Sequence, residues 1–446
     1  MKRYSVIILL LALSLGLPAQ NLAGRIDSLI RADFDQPTGI TVMVTQHGQT
    51  RFDGAYGWAN VEQKVPMHTD DVFRLGSVTK QFTSSAILRL AEQGKLNIQD
   101  DIHKYFPGYP TEGHTITIEH LLTHTSGIPS YTDLPEWTPE VHKKDYTPAE
   151  LIEAFKRDTL DFEPGSQFKY NNTGYFMLGY IIEKVSGMTY KDYLRTQFWE
   201  PLGMTHTYYG SNDPIIPNRI PGYAKNGDTL VNAPYLSMTQ PYAAGSLLST
   251  TGDLAIWNHA VFSDQVITAA SRQKAHSPYV LNDGSPTRYG YGWFIGDRWE
   301  EATIEHSGGI HGFLTQSIYF PDEDLYIAAL SNCNCFAPGS LANKIAGLVL
   351  GKSMNKPIIE VSPQKLQDYV GQYTLHPGFI ITIFIQDDQL MAQATNQPAL
   401  KLYATKPDRF FLKEVEAELE FLRKDDKVTE LILHQGGVAQ NALRTQ

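Results

Sequence analysis

Phe73-Arg74-Leu75-Gly76-Ser77-Val78-Thr79-Lys80 is the stretch on which the reading of this chain turns. Ser77 and Lys80 stand three residues apart, about one helical turn, and share a face if the segment is helical. From Ser77 to Gln93 the pattern is helical: Phe82, Ile87, Leu90 and Ala91 gather near one side, and Gly94 stands where a helix-ending glycine belongs. A serine hydroxyl is too weak an acid to attack a carbonyl unaided and needs a base within about 3 Å. Lysine serves as that base when desolvation or nearby positive charge favours its neutral amine. Ser-x-x-Lys alone is weak evidence, because it begins five times here, at Ser77, Ser166, Ser271, Ser353 and Ser362. Context separates the first. Gly76 lets a substrate approach closely, and the N–H groups of a first helical turn are available to stabilise an oxyanion. The plain alternative is that Ser77 caps its helix.

Two further short patterns carry chemistry. Tyr170-Asn171-Asn172 is the only Tyr-x-Asn in the chain, and it precedes a helical run from about Gly174 to Val185 that stops at Gly187. A tyrosine near cationic groups has its pKa lowered and shuttles a proton to a leaving group; an amide two residues on bonds both a lysine and a substrate carbonyl. His306-Ser307-Gly308-Gly309 ends a strand pattern, and histidine followed by glycines at a strand edge presents a backbone N–H and a polar side chain to a substrate lying alongside.

In this order and separation, the three patterns resemble the serine penicillin-binding protein and β-lactamase superfamily, above all class C β-lactamases, DD-carboxypeptidases, D-aminopeptidases and related esterases. Leu121-Leu122-Thr123-His124-Thr125-Ser126-Gly127, Phe162-Glu163-Pro164-Gly165 and Tyr242 to Asp253, with Ala244-Gly245-Ser246, are similar to that group too. The resemblance runs over roughly residues 25 to 350, and the tail from about 360 resembles the lipocalin-like β domain appended to some of these hydrolases. It implies an α/β fold, an antiparallel sheet flanked by helices plus a helical subdomain, followed by a small all-β antiparallel, barrel-like domain. It implies Ser77 as the acylated nucleophile, Lys80 as its proton acceptor and Tyr170 as general acid/base. The N–H groups of Ser77 and Gly309 would form the oxyanion hole, and Asn172, His306, Ser307 and Gly308 would bind substrate. One position departs from the class C pattern. His306 stands where those enzymes carry lysine, and a histidine with a reference pKa near 6.5 is mostly neutral at pH 7. Recognition of a substrate carboxylate, as in penicillins, is weakened accordingly.

Outward from these motifs the chain divides into a leader at residues 1–19, a hydrolase domain at 20–352 and a β domain at 360–446. Lys2 and Arg3, the apolar run from Val6 to Leu17 and the Pro18-Ala19 exit read as a cleaved secretory signal, about a dozen apolar residues and too short to span a bilayer comfortably. Ile40 to Val44 and Arg51 to Trp58 form a hairpin pattern around His47-Gly48. Strand patterns return at Thr303 to His306, Phe313 to Phe320 and Leu325 to Leu330, and short strand runs punctuated by Asp387-Asp388 and Asp425-Asp426 fill the tail. With 446 residues, 42% of them hydrophobic and 19% charged, the composition is globular. A net charge of −11 without basic runs argues against nucleic acid as a partner. Cys333 and Cys335 make neither a disulfide framework nor a metal site, and they read as thiols at a strand end.

The expectation is therefore an exported, periplasmic or secreted serine hydrolase acting on a small-molecule or peptide substrate. An esterase or D-amino-acid-type peptidase is favoured over a β-lactamase, DD-carboxypeptidase or penicillin-binding protein. No metal or organic cofactor is needed, because proton transfer and oxyanion stabilisation suffice for acyl transfer. No stable membrane insertion is expected after signal cleavage, and the oligomeric state is not legible. The rival from another class is a non-catalytic module that binds cell wall or protein.

Overall fold

The computed structural model describes residues 17–352, 358–376, 378–395, 397–412, 415, 417–435 and 438–445. The leader expected at 1–19 lies, up to residue 16, outside the described residues; a helix runs over Leu17–Asp33. The chain forms two compact units that divide between Lys352 and Ser353.

The first unit is built on a seven-stranded antiparallel sheet. Its order is Val65–Pro66, Gln49–Asn60, Gly39–Gln46, Leu325–Ser331, Phe313–Phe320, Glu301–Ile310 and Phe294–Arg298. Early and late parts of the sequence therefore meet at the middle of the sheet, where Ile40 pairs with Ser331 and Gln46 with Leu325. The hairpin turn at His47-Gly48 works because both residues take positive φ, 53° and 68°, which matches the twist of the flanking strands.

Alternation along a strand sends successive side chains to opposite faces. In Leu325–Ser331, Leu325, Ile327 and Ala329 join the core beneath helices Leu17–Asp33 and Pro338–Leu350, while Tyr326, Ala328 and Leu330 join the core on the other face. A strand covered on both sides is buried throughout, as this one is. The second face carries helices Thr79–Glu92, Asn172–Ser186 and Thr251–Phe262.

Helix Thr79–Glu92 differs from the one-sided pattern expected of it. Residues Thr79 to Leu88 and Leu90 are all buried, so the helix runs through the core and not over it. Its polar members are satisfied inside: Ser84 Oγ donates to the Lys80 carbonyl (2.9 Å), Ser85 Oγ to the Gln81 carbonyl (2.8 Å) and Thr83 Oγ1 to the Ala243 carbonyl (2.6 Å).

The second unit is a closed barrel of eight antiparallel strands, from Gly371–His376 to Val438–Arg444, each beside its neighbours in sequence. Its interior is filled by side chains such as Tyr369, Tyr373, Phe410, Leu419, Phe421 and Leu431. The Asp387-Asp388 and Asp425-Asp426 turns take positive φ at both residues, as two-residue hairpin turns of this hand require. Among the described residues, no helix is long and apolar enough to cross a membrane.

Cys333 and Cys335 correct the sequence reading. They are joined to each other in a disulfide, with Cα atoms 5.1 Å apart, and are not free thiols. Two residues of separation make no framework, yet the chain bends enough after Ser331 for the side chains to meet.

Candidate active site

Ser77 lies in a short 3₁₀ turn, Gly76–Val78, that leads straight into helix Thr79–Glu92. Its side chain caps neither element, which removes the plain alternative for this serine. Gly76 is required where it stands. Its φ is +54°, and a Cβ there would lie 2.9 Å from the Gly309 nitrogen. The turn before Ser77 thus packs directly on the strand that carries His306, Ser307, Gly308 and Gly309. Gly308 is equally confined, because a Cβ would come within 2.0 Å of the Leu75 carbonyl oxygen.

Lys80 enters from the first turn of the helix and is fully buried. Its Nζ has three neighbours: Ser77 Oγ at 3.0 Å, Asn172 Oδ1 at 2.9 Å and the Ala244 carbonyl oxygen at 2.9 Å. No carboxylate is among them. Burial therefore acts unopposed and pushes the amine well below the ordinary lysine pKa.

Asn172 opens helix Asn172–Ser186, and the residue before it anchors that helix: Asn171 Oδ1 accepts from Gly174 N–H (2.8 Å) as the N-cap. The amide of Asn172 is held from the far side, where Nδ2 donates to Thr132 Oγ1 (3.1 Å), itself 2.9 Å from Ser130 Oγ. That bond turns Oδ1 toward Lys80.

Tyr170 stands across the site. Its hydroxyl is 3.5 Å from His306 Nε2, and Lys80 Nζ lies 4.7 Å from its ring centroid. The sequence reading expected cations to lower its pKa, and the structure reverses the sign. Burial dominates and raises the phenol pKa, opposed in part by a hydrogen bond to Ser77, and no cation is among the groups that lower it. Tyr170 keeps its proton.

His306 is buried, and its Nδ1 lies 2.6 Å from the Ser307 carbonyl oxygen. A carbonyl only accepts, so Nδ1 carries the proton. Burial and nearby Lys80 lower the imidazole pKa to about 3, which leaves Nε2 unprotonated. Nε2 accepts from the buried Tyr289 hydroxyl at 3.0 Å. The expectation of a neutral group at this position agrees with these surroundings.

Five of the side chains singled out in the sequence, Ser77, Lys80, Tyr170, Asn172 and His306, thus meet in one place, with the Gly309 backbone beside them. Ser307 is exposed on the same strand. Sequence reasoning missed four contributors: the Ala244 carbonyl, Thr132, Tyr289 and His124. His124 is buried with φ +60°, accepts Asn171 N–H on Nδ1 (2.9 Å) and lies 4.3 Å from Tyr170, ring to ring. Its place in the Leu121–Gly127 stretch was a signal, and so was the aromatic loop that begins at Tyr131, beside Thr132. A main-chain carbonyl gives no such signal.

A family model described as Beta-lactamase matches residues 26–352. This chain belongs to the beta-lactamase family. A second model, a domain of unknown function (DUF3471), matches residues 355–445. Penicillin-binding protein 4* of Bacillus subtilis (strain 168) is 30% identical over 433 residues, covering 91% of this chain and 95% of that protein. Among solved structures, the octameric penicillin-binding protein homologue from Pyrococcus abyssi shares 26% identity at a TM-score of 0.66, covering 96% of this chain and 100% of its own. D-amino acid amidase from Ochrobactrum anthropi SV3, solved with L-phenylalanine, shares the fold at a TM-score of 0.64 and 22% identity, over 74% of this chain and 98% of its own. The protein is a serine hydrolase of the β-lactamase and penicillin-binding protein type.

Proposed function

We propose that this chain is an exported hydrolase that cleaves an ester or amide bond through an acyl-enzyme on Ser77, and that esters or D-amino acid amides are better substrates than β-lactams. The observation that carries this reading is the trio of atoms around Lys80 Nζ. A neutral amine has two N–H bonds and one lone pair. Asn172 Oδ1 and the Ala244 carbonyl are acceptors only and take the two protons, so the lone pair is left for Ser77, whose hydroxyl can donate. Burial favours that neutral form.

The protons balance. Ser77 Oγ bonds to the acyl carbon and gives its proton to Lys80, while the bond from that carbon to the leaving group breaks. The leaving group takes the proton of Tyr170, which the raised pKa of the phenol keeps in place at rest. The Lys80 ammonium then restores Tyr170. Water replaces the leaving group in deacylation, and the same transfers run in reverse. The Ser77 and Gly309 N–H groups stabilise the oxyanion, a role supported by the packing of Gly76 on Gly309. Asn172, His306, Ser307 and Gly308 border the substrate.

Preference against β-lactams rests on His306. A neutral imidazole offers no cation to a substrate carboxylate, where lysine would. Export rests on the N-terminal leader pattern and is supported by the Cys333–Cys335 disulfide, which suits an oxidising compartment. The relative named for penicillin binding supports an acylatable serine.

A panel of p-nitrophenyl esters, D-amino acid amides and nitrocefin tests the proposal. Turnover of an ester or a D-amino acid amide that exceeds nitrocefin turnover, and that Ser77→Ala abolishes, is the expected result. Folded protein inert toward the whole panel overturns it and leaves the binding-module reading standing.

A further inference from the structure

One side of the site is closed by a chain of contacts. Thr132, which holds the Asn172 amide, follows Tyr131, whose ring meets Trp137 edge-on at 5.7 Å. Trp137 lies 4.1 Å from the His142 ring, and His142 lies 5.2 Å from the ring of His311. His311 is two residues past Gly309, on the turn that ends its strand. The wall therefore runs from the amide that faces Lys80 to the strand end beside Ser77.

Arg74 stands near the His311 end of this wall with Arg219 beside it, while burial lowers the His311 pKa and favours its neutral imidazole. Arg74, three residues before Ser77, is half-buried with its guanidinium carbon 5.9 Å from the centre of the Phe313 ring. Among the described residues it makes no ion pair, and neither does Arg219, whose Nη1 donates to the Ser211 carbonyl (2.6 Å). Backbone pairing places them close, because Arg219 bridges to Val72, two residues before Arg74. The groups that act on Arg74 are Arg219, Tyr235 and burial, which lowers its pKa; those that act on His311 include His142 and Arg74. Among the described residues, His142 Nε2 is buried without a hydrogen-bond partner. On the His142 segment Asp145 accepts from Ser237 Oγ (2.5 Å), and beside Arg219 the Asp70 carboxylate accepts from Asn218 Nδ2 (2.8 Å).

A half-buried guanidinium without an ion-pair partner and a buried imidazole nitrogen without a hydrogen bond are groups that a carboxylate would satisfy. We propose that Arg74, with Arg219, His142 and His311, forms an acyl-side subsite for a carboxylate, so that the preferred substrates carry an anionic group on the acyl portion. This rests on the hydrolase reading above and specifies its substrate class. The neutral His306 supplies no cation, and on this reading Arg74 supplies the one that a substrate carboxylate meets.

The test compares the p-nitrophenyl monoester of adipic acid with p-nitrophenyl hexanoate. A charge-assisted contact of this kind is worth about 10- to 100-fold in kcat/KM. Wild-type protein should favour the adipate ester by such a factor. Arg74→Gln should remove the preference while leaving hexanoate within about threefold, and Arg74→Lys should retain part of it. If Arg74→Gln does not fold, Arg219→Gln, at the exposed end of the pair, should diminish the preference. A preference that is absent in wild type, or that survives both substitutions, overturns the subsite. If neither ester is turned over, the hydrolase reading fails by itself. Calorimetric binding of adipate then decides the subsite: binding lost in Arg74→Gln supports it, and equal or no binding in both proteins overturns it.

Discussion

Replacing Asn172 by aspartate keeps the shape of the side chain and places a negative charge 2.9 Å from Lys80 Nζ, where the wild-type protein has a neutral oxygen. With an effective dielectric of about 20, two unit charges at that distance attract by about 6 kcal/mol, equivalent to about 10⁴ in the protonation equilibrium of the amine. Desolvation of the new carboxylate reduces this, and two to four orders of magnitude is the working range. Lys80 would then stay protonated at neutral pH, with no lone pair for Ser77. The expected result is a loss of about 10²- to 10⁴-fold in kcat/KM for a p-nitrophenyl ester at pH 7, recovered about tenfold per pH unit on the alkaline side until the ester's own hydrolysis intervenes. Near-UV circular dichroism checks that packing is retained. Activity within threefold of wild type at pH 7, or a loss that does not recover with pH, would refute the assignment of the base to Lys80.

Tyr170→Phe should preserve acylation by a p-nitrophenyl ester, whose leaving group needs no proton, and slow the turnover of amides by about 10²-fold or more; equal effects on both substrates would show that Tyr170 does not protonate the leaving group. His306→Lys puts a cation beside the Tyr170 and Tyr289 hydroxyls and should raise nitrocefin turnover by about tenfold or more; no rise means that charge at this position does not limit β-lactam hydrolysis. Acid should destabilise the protein before most carboxylates titrate. The folded-state pKa of His306 is lowered to about 3, so in unfolded chains this imidazole binds protons from about pH 6.5 downward that the folded protein refuses. That stability is present above pH 6.5 and falls by about 1.4 kcal/mol per pH unit for one such group on the way to pH 3. Melting temperatures recorded from pH 7.5 to 4 should decline, and less so in His306→Gln.

Much of the site was legible because its spacing is set by helix geometry. Ser77 and Lys80 lie one turn apart, and the strand run around His306 shows the alternation of a buried sheet. Tyr170 and Asn172 stood out as a unique pair before a helix. The misses have physical causes. Helix Thr79–Glu92 reads as one-sided because Thr83, Ser84 and Ser85 are polar in sequence, yet their hydroxyls bond carbonyls inside the core and are buried with it. The Tyr170 pKa depends on how deeply the phenol is buried, which no spacing encodes. Strand Leu400–Lys406 gives a thin apolar signal, since only Leu402 and Ala404 along it are buried. The disulfide escaped notice because two residues are too few for a framework, and only the bend after Ser331 brings the sulfurs together. The Arg74 environment was invisible because Arg219, Tyr235 and His311, the groups that act on it or on which it acts, come from distant segments.

The most direct measurement is intact-mass spectrometry after incubation with a fluorophosphonate. The account predicts a single adduct, localised to Ser77 by peptide mapping, absent from a Ser77→Ala protein of nearly unchanged melting temperature and strongly slowed in Lys80→Ala. No adduct on folded protein, or one that persists when Ser77 is replaced, would contradict it.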